Sequence, residues 1–237
     1  MKVEFFERIL AARRARQPVA LVTRVEDGVQ ALVDAGSVAG ELVLDAATLA
    51  EVRERLCSDR SGPLDTGGGA LFVRCHAAAP RLVIIGAVHI TQALVPMAAM
   101  AGFEVLVVDP RRAFAAPARL PGVSVSTAWP DEALAAVGLD ARTALVALSH
   151  DPKLDDPALV AALRSPAFYI GALGSTRTHA KRIERLTDAG LGDALQRIHA
   201  PIGLDLGGRS PAEIAVSILA QLIQVRHAPV DATRAAP

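Results

Sequence analysis

Residues 82–93, Leu-Val-Ile-Ile-Gly-Ala-Val-His-Ile-Thr-Gln-Ala, pass from four consecutive branched apolar side chains through a glycine into a helix start. An unbroken apolar block has no polar face to offer water, which suits a central strand of a parallel sheet covered on both sides. Gly86 permits a tight turn at its end, and a helix is expected over about 89–101, with Pro96 withholding one N–H from its ladder. A second apolar run, Glu104 to Asp109, follows at once. Strand, turn, helix and strand in this order form a right-handed crossover unit.

The same alternation continues downstream. Val123-Ser124-Val125-Ser126 reads as a short strand and 131–137 as a helix; Thr143 to Ser149 is a strand and 156–164 a helix, with Asp155 and Asp156 placed to cap it. Ala167 to Ala172 is a strand, and helices are expected at about 176–188 and 211–225. The fold class is therefore α/β, a doubly wound Rossmann-like parallel sheet.

Upstream of His76-Ala77-Ala78-Ala79-Pro80 the pattern differs. An amphipathic helix over 3–13 precedes two β-favouring runs, Val19–Val25 and Val29–Val33, joined at Asp27-Gly28 in hairpin fashion. A segment Ser37–Leu44, a helix over 46–57 capped by Asp45, a glycine loop at 67–69 and a strand Ala70–Cys75 complete it. The expected division is a small N-terminal α+β module, 1–79, and a ligand-binding domain, 80–237, whose tail is disordered from about 227.

Composition narrows the function. Twenty-five Lys and Arg against 25 Asp and Glu give no net charge, and aromatic residues are 3% of the chain, which argues against a nucleic-acid surface. No apolar run is long enough to span a membrane, and the first residues lack a cleavable apolar stretch, so a cytoplasmic protein is expected. Cys57 and Cys75 lack the spacing of a metal or disulfide framework, and no metal site is expected.

Candidate site residues lie where strands end. Gly86 opens a helix start that can present free N–H groups to phosphate, and Asp109, 23 residues after Gly86, sits where a carboxylate receives ribose hydroxyls. Val88 stands in place of the second glycine of the dinucleotide fingerprint, so a turn that binds nothing is the competing reading. Arg111 can hold a phosphate or simply pair with Asp109. His150 and Asp151, at another strand end, suit proton transfer with Asp151 orienting the imidazole, or a structural role. Gly171, Gly174, Ser175 and Arg177 form a second glycine turn, either an anion cradle or a tight connection with a serine cap. Ser210-Pro211-Ala212-Glu213 reads as a capping box, and the glycine-rich loop before it, with Asp205 and Arg209, as a lid or partner surface. No evident nucleophile, metal-ligand set or complete fingerprint emerges, which by itself leaves an enzyme and a binding protein both open.

Five ordered segments carry a resemblance: GAVHITQA from Gly86, VVDPR from Val107, SHDPKLDDP from Ser149, YIGALGSTRTHAKR from Tyr169 and HAPIGLDLGGRSPAEIA from His199. Over about residues 80–226 the chain resembles the xanthine dehydrogenase accessory protein family, which includes accessory proteins of carbon monoxide dehydrogenase. The resemblance implies a maturation factor that binds the molybdenum cofactor, as molybdopterin or its cytosine dinucleotide form, assists its sulfuration and passes it to a molybdenum hydroxylase apoenzyme. It further implies a cofactor-binding chaperone more than a catalyst, with Gly86, His89 and Gln92 at the glycine turn and His150-Asp151 at the opposite lip, and a cysteine desulfurase as a second partner; a homodimer is the expectation from how common two-fold assemblies are. The other functions weighed are an NAD(P)-dependent oxidoreductase, with Asp109 on ribose and His150 as proton donor, and a non-catalytic adaptor. Family members usually carry cysteines in two N-terminal glycine-rich segments; the matching stretches here, Ser37–Glu41 and Thr66–Gly69, have none.

Overall fold

The computed structural model describes residues 2–115 and 119–228. They form two compact units that part between Ala78 and Ala79.

The first unit is a five-stranded antiparallel sheet. Helix α1 (Val3–Arg14) leads into β1 (Val19–Arg24), β2 (Gln30–Val33) and β3 (Val38–Gly40); α2 (Ala46–Cys57) is followed by β4 (Gly62–Thr66) and β5 (Gly69–His76). The strands lie in the order β3-β2-β1-β5-β4. Alternate residues face opposite sides, as the twofold strand period requires. Val19, Leu21 and Leu32 meet Phe5 and Ile9 of α1, whereas Ala20, Val22, Ala31, Val33, Val73 and Cys75 meet Val52 and Leu56 of α2. Strand β4 replaces the loop expected between residue 57 and the glycines. Its Pro63 hid it, because proline is at home only in an edge strand, and β4 is one.

The second unit holds a six-stranded parallel sheet: β6 (Arg81–Ile85), β7 (Glu104–Val108), β8 (Ser124–Ser126), β9 (Thr143–Ala147), β10 (Tyr169–Ala172) and β11 (Ile198–His199). Their order, β8-β7-β6-β9-β10-β11, is that of the doubly wound dinucleotide-binding fold, reversing direction between β6 and β9. Helices α3 (His89–Met100) and α7 (Pro211–His227) cover one face; α4 (Pro130–Val137), α5 (Pro152–Leu163) and α6 (Thr176–Asp188) cover the other. The apolar block sorts itself by parity. Leu82 and Ile84 enter the α3/α7 layer, Val83 and Ile85 the opposite one, and all four are fully buried.

Three boundaries differ from expectation. Helix α5 begins at Pro152 rather than near 156, because Asp151 accepts the Lys153 N–H at 3.0 Å as its cap and proline suits the first helical position. Asp155 is therefore inside the helix and does not cap it. The last helix continues through His227, two residues beyond its expected end at about 225, and residues 229–237 of the expected tail lie outside the described residues. Strand β11 and the 3₁₀ turn Gly192–Arg197 before it have too few residues to show a period.

Candidate functional site

Because the sheet is parallel, the turns after β6, β7, β9 and β10 all open at its carboxyl edge. This edge, at the reversal between β6 and β9, is where open α/β sheets receive ligands.

Gly86 begins the site, with φ +102°. A Cβ there would lie 3.0 Å from Cα, Cβ and N of Ser149, so the absence of a side chain lets the β6 turn pass against the end of β9. The buried Thr91 donates its hydroxyl to the Gly86 carbonyl at 2.5 Å, tying the first turn of α3 to the glycine. Val88 is the N-cap of α3 and provides no side-chain acceptor. Its isopropyl group packs against the α3/α7 apolar layer. The first N–H groups of α3 thus have no capping side chain, and His89 beside them is exposed. Gln92, one turn on, directs its amide to the Arg119 carbonyl at 3.5 Å.

Asp109 is fully buried at the end of β7. One carboxylate oxygen accepts the Ala87 N–H at 2.8 Å and the Arg111 Nη2 at 2.8 Å; the other accepts the Arg111 backbone N–H at 3.0 Å and its Nε at 2.9 Å. Burial pushes this carboxyl up, but the Arg111 guanidinium and the two backbone N–H groups outweigh it and hold it below the ordinary value. Of the two readings of Arg111, pairing with Asp109 is the one present, and the guanidinium also lies 4.4 Å over the Phe114 ring.

Ser149 donates its hydroxyl to the Asp155 carboxylate at 2.6 Å and accepts the Asp151 N–H at 3.1 Å. Between them His150 is exposed and takes φ +61°, a left-handed conformation that residues bearing a Cβ disfavour. The Asp151 carboxylate is committed to capping α5 rather than to orienting the imidazole.

The turn after β10 is built by packing. A Cβ on Gly171 would meet Ile202 Cδ1 at 2.5 Å and Tyr169 Cε1 at 2.7 Å, so its smallness serves the core. Gly174 has φ +142°, Ser175 caps α6 by accepting the Thr178 N–H at 3.2 Å, and Arg177 lies in the first turn. Behind this turn the buried Arg182 donates Nη2 to the Leu173 carbonyl at 2.9 Å and faces Asp155 at 3.9 Å. Ser149, Asp155 and Arg182 thereby link the β9 and β10 turns from beneath. The sequence marked Asp155 only as a helix cap and gave no sign of its link to Ser149 and Arg182, since an acidic residue in a first turn and a basic one in an amphipathic helix are ordinary there.

Among the described residues no group of three His, Cys, Asp or Glu is placed to hold a metal. Cys57 is exposed; burial pushes the Cys75 thiol up, away from reactive thiolate character. A groove of about 570 Å³ between α4, α5 and α6 shares no residue with the crevice, and its floor includes Leu134, Val160 and Leu186.

The family model for the XdhC Rossmann domain matches residues 82–222, more than half of the chain. The chain belongs to the xanthine dehydrogenase accessory protein (XdhC) family. Its XdhC Rossmann domain is the second unit described above, and the expectation from the five ordered motifs holds. Curated relatives include an uncharacterized protein, YqeB, of Escherichia coli K12, 32% identical over 165 residues, which are 69% of this chain and 30% of YqeB. The molybdenum cofactor insertion chaperone PaoD of the same organism is 38% identical over 95 residues, 40% of this chain and 30% of PaoD. A protein of Bacillus subtilis 168 named as a probable xanthine dehydrogenase subunit is 31% identical over 157 residues, 66% of this chain and 46% of that protein. The aligned regions span less than half of each of these curated relatives. The crystal structure of a xanthine dehydrogenase from Bacillus halodurans shares the fold, with a TM-score of 0.70 and 23% identity over 99% of this chain and 66% of the other.

Proposed function

We propose that this XdhC-family chain is a maturation factor that holds the molybdenum cofactor as cargo, assists its sulfuration and delivers it to a xanthine dehydrogenase or carbon monoxide dehydrogenase type apoenzyme. The observation that carries this reading is the uncapped start of α3 behind Gly86, at the reversal of the sheet. A phosphate on the cargo would supply the acceptor that Val88 does not. His89 in the first turn of α3 and His150 after β9, both exposed, are the side chains proposed to contact it, with the exposed Arg177 in the first turn of α6 as a further cation. The named relative PaoD, a molybdenum cofactor insertion chaperone, supports the same cargo.

In this reading the chain delivers rather than turns over its ligand, which suits the engagement of the buried Asp109 by Arg111 and of the buried Asp155 by Ser149. The apoenzyme is the decisive partner; a cysteine desulfurase would serve the sulfuration step. We assign the protein to the cytoplasm as a homodimer, and note that no described helix is long and apolar enough to cross a membrane. The division into residues 1–79 and 80–237 is part of the proposal, with cargo binding assigned to the second part.

Two measurements test it. Anaerobic calorimetry with isolated molybdenum cofactor, in its molybdopterin and cytosine dinucleotide forms, should give saturable binding that weakens in His89→Ala and His150→Ala. Deletion in the host should leave at least one molybdenum hydroxylase as inactive apoenzyme or desulfo form. Full activity of every hydroxylase in the deletion strain overturns the reading.

A further inference from the structure

We propose that Arg111 is a specificity-determining residue that bars adenine dinucleotides from the crevice by occupying the carboxylate that a ribose would need. The inference rests on the reading of the crevice as the binding site and concerns what that site refuses.

In dinucleotide-binding folds the acidic residue ending the second strand accepts hydrogen bonds from the ribose hydroxyls of the adenosine half. Asp109 stands at that place, at the end of β7 and beside the Gly86 turn. A vicinal diol needs a pair of acceptor positions on one carboxylate edge. Here the edge is taken: Nε of Arg111 reaches one oxygen at 2.9 Å and Nη2 the other at 2.8 Å, the parallel two-point geometry that guanidinium and carboxylate share. The remaining acceptor capacity goes to the N–H groups of Ala87 and Arg111, and Asp109 has no exposed surface.

Arg111 is only two residues beyond Asp109, and its own N–H already bonds the carboxylate, so the chain direction is fixed before the side chain closes the ring. Phe114 backs the guanidinium at 4.4 Å and limits its freedom to swing away. An incoming diol would have to displace two charge-assisted bonds and leave the guanidinium without its partner. The crevice therefore favours phosphorylated ligands that place no free ribose diol over the end of β7; molybdopterin has none, and the cytosine dinucleotide form meets the condition when its ribose lies away from Asp109.

The test is a gain of binding. ADP-ribose, NAD, ADP and 2′,3′-dideoxy-ADP are titrated by calorimetry into the full chain, Arg111→Ala, Arg111→Met and Arg111→Ala/Asp109→Ala, each first shown folded by circular dichroism. The parent chain should bind none of the four measurably. Both single variants should bind ADP-ribose, NAD and ADP at least about tenfold more tightly than the parent and than they bind the dideoxy compound. The double variant should lose that gain. Arg111→Met retains the packing stem over Phe114, so a failure of Arg111→Ala to fold leaves the test open to it. Parent binding of ADP-ribose as tight as that of the variants, a folded single variant with no gain, or a gain indifferent to the diol overturns the proposal. Isolated molybdenum cofactor is titrated into the parent in the same series. Cofactor binding without a diol-dependent gain defeats the role of Arg111 alone, whereas the gain without cofactor binding defeats the cargo reading alone.

Discussion

Asp109 and Asp155 are both buried at the carboxyl edge of the sheet, and their neighbours move them in opposite directions. Burial pushes Asp155 up, and the Ser149 hydroxyl and the distant Arg182 reduce that rise without reversing it. In Asp109 the Arg111 guanidinium reverses it. A carboxyl held below its ordinary value of 3.8 contributes stability that is complete above that value and is lost as the pH falls through the folded one. In Arg111→Met the lowering by the guanidinium is lost while the N–H bonds from Ala87 and residue 111 remain, so the variant keeps less of this pH-dependent stability. The gap in thermal midpoint between parent and variant should widen from about pH 3 to about pH 6; a gap independent of pH would show that Asp109 is not coupled to Arg111. Gly86 yields a second expectation at this scale. Gly86→Ala must adopt φ +102° against the Ser149 backbone and should lower stability by about 2 kcal/mol or more in chemical denaturation. His150 behaves in the opposite way: His150→Gly removes a left-handed histidine and should raise stability by about 1 kcal/mol while weakening cofactor binding. A gain in stability with undiminished binding would mean that the conformation has no bearing on cargo.

Among the helices of the second unit, α5, α6 and α7 carry side-chain caps from Asp151, Ser175 and Ser210; α3 and α4 do not, and of these two only α3 follows a turn at the carboxyl edge beside the reversal of the sheet. Val88→Asp would give α3 an internal acceptor for its first N–H groups. It should lower affinity for the molybdenum cofactor at least about tenfold by calorimetry, since the new carboxylate competes with and repels an anion at one position. Unchanged affinity would remove α3 from the site. The elements themselves were largely legible in the residues. Unbroken apolar runs such as Leu82–Ile85 and Ala144–Leu148 can only be buried strands, and Ser210 with Glu213 announced the start of α7. What stayed hidden was long-range. The partner of Ser149 is six residues away inside the next helix, and Arg182 reaches the Leu173 carbonyl through a turn whose path no local pattern encodes. Gly171 likewise looked like room for a ligand and is room for Ile202, which only the packed structure reveals.

At the scale of the whole molecule, the two units have separate apolar cores, and the motifs of the family fall in the second. Residues 80–228 expressed alone should unfold in a single cooperative transition by circular dichroism and bind the cofactor within about threefold of the full chain. A fragment that folds but does not bind would assign part of the cargo site to the first unit. The layering of the second unit also bears on the order in which a new chain becomes competent. Helix α3 packs against α7, the last described element, so Leu94, Val95 and Ala98 find their cover only when Ala215, Ile218 and Leu222 have been made. Every residue proposed for the crevice leaves the ribosome before that lid of helix does. A nascent chain thus carries an oily, unsheltered flank throughout the rest of its synthesis. A product cut short before α7 would keep that flank exposed, and general chaperones and proteases recognise surfaces of this kind.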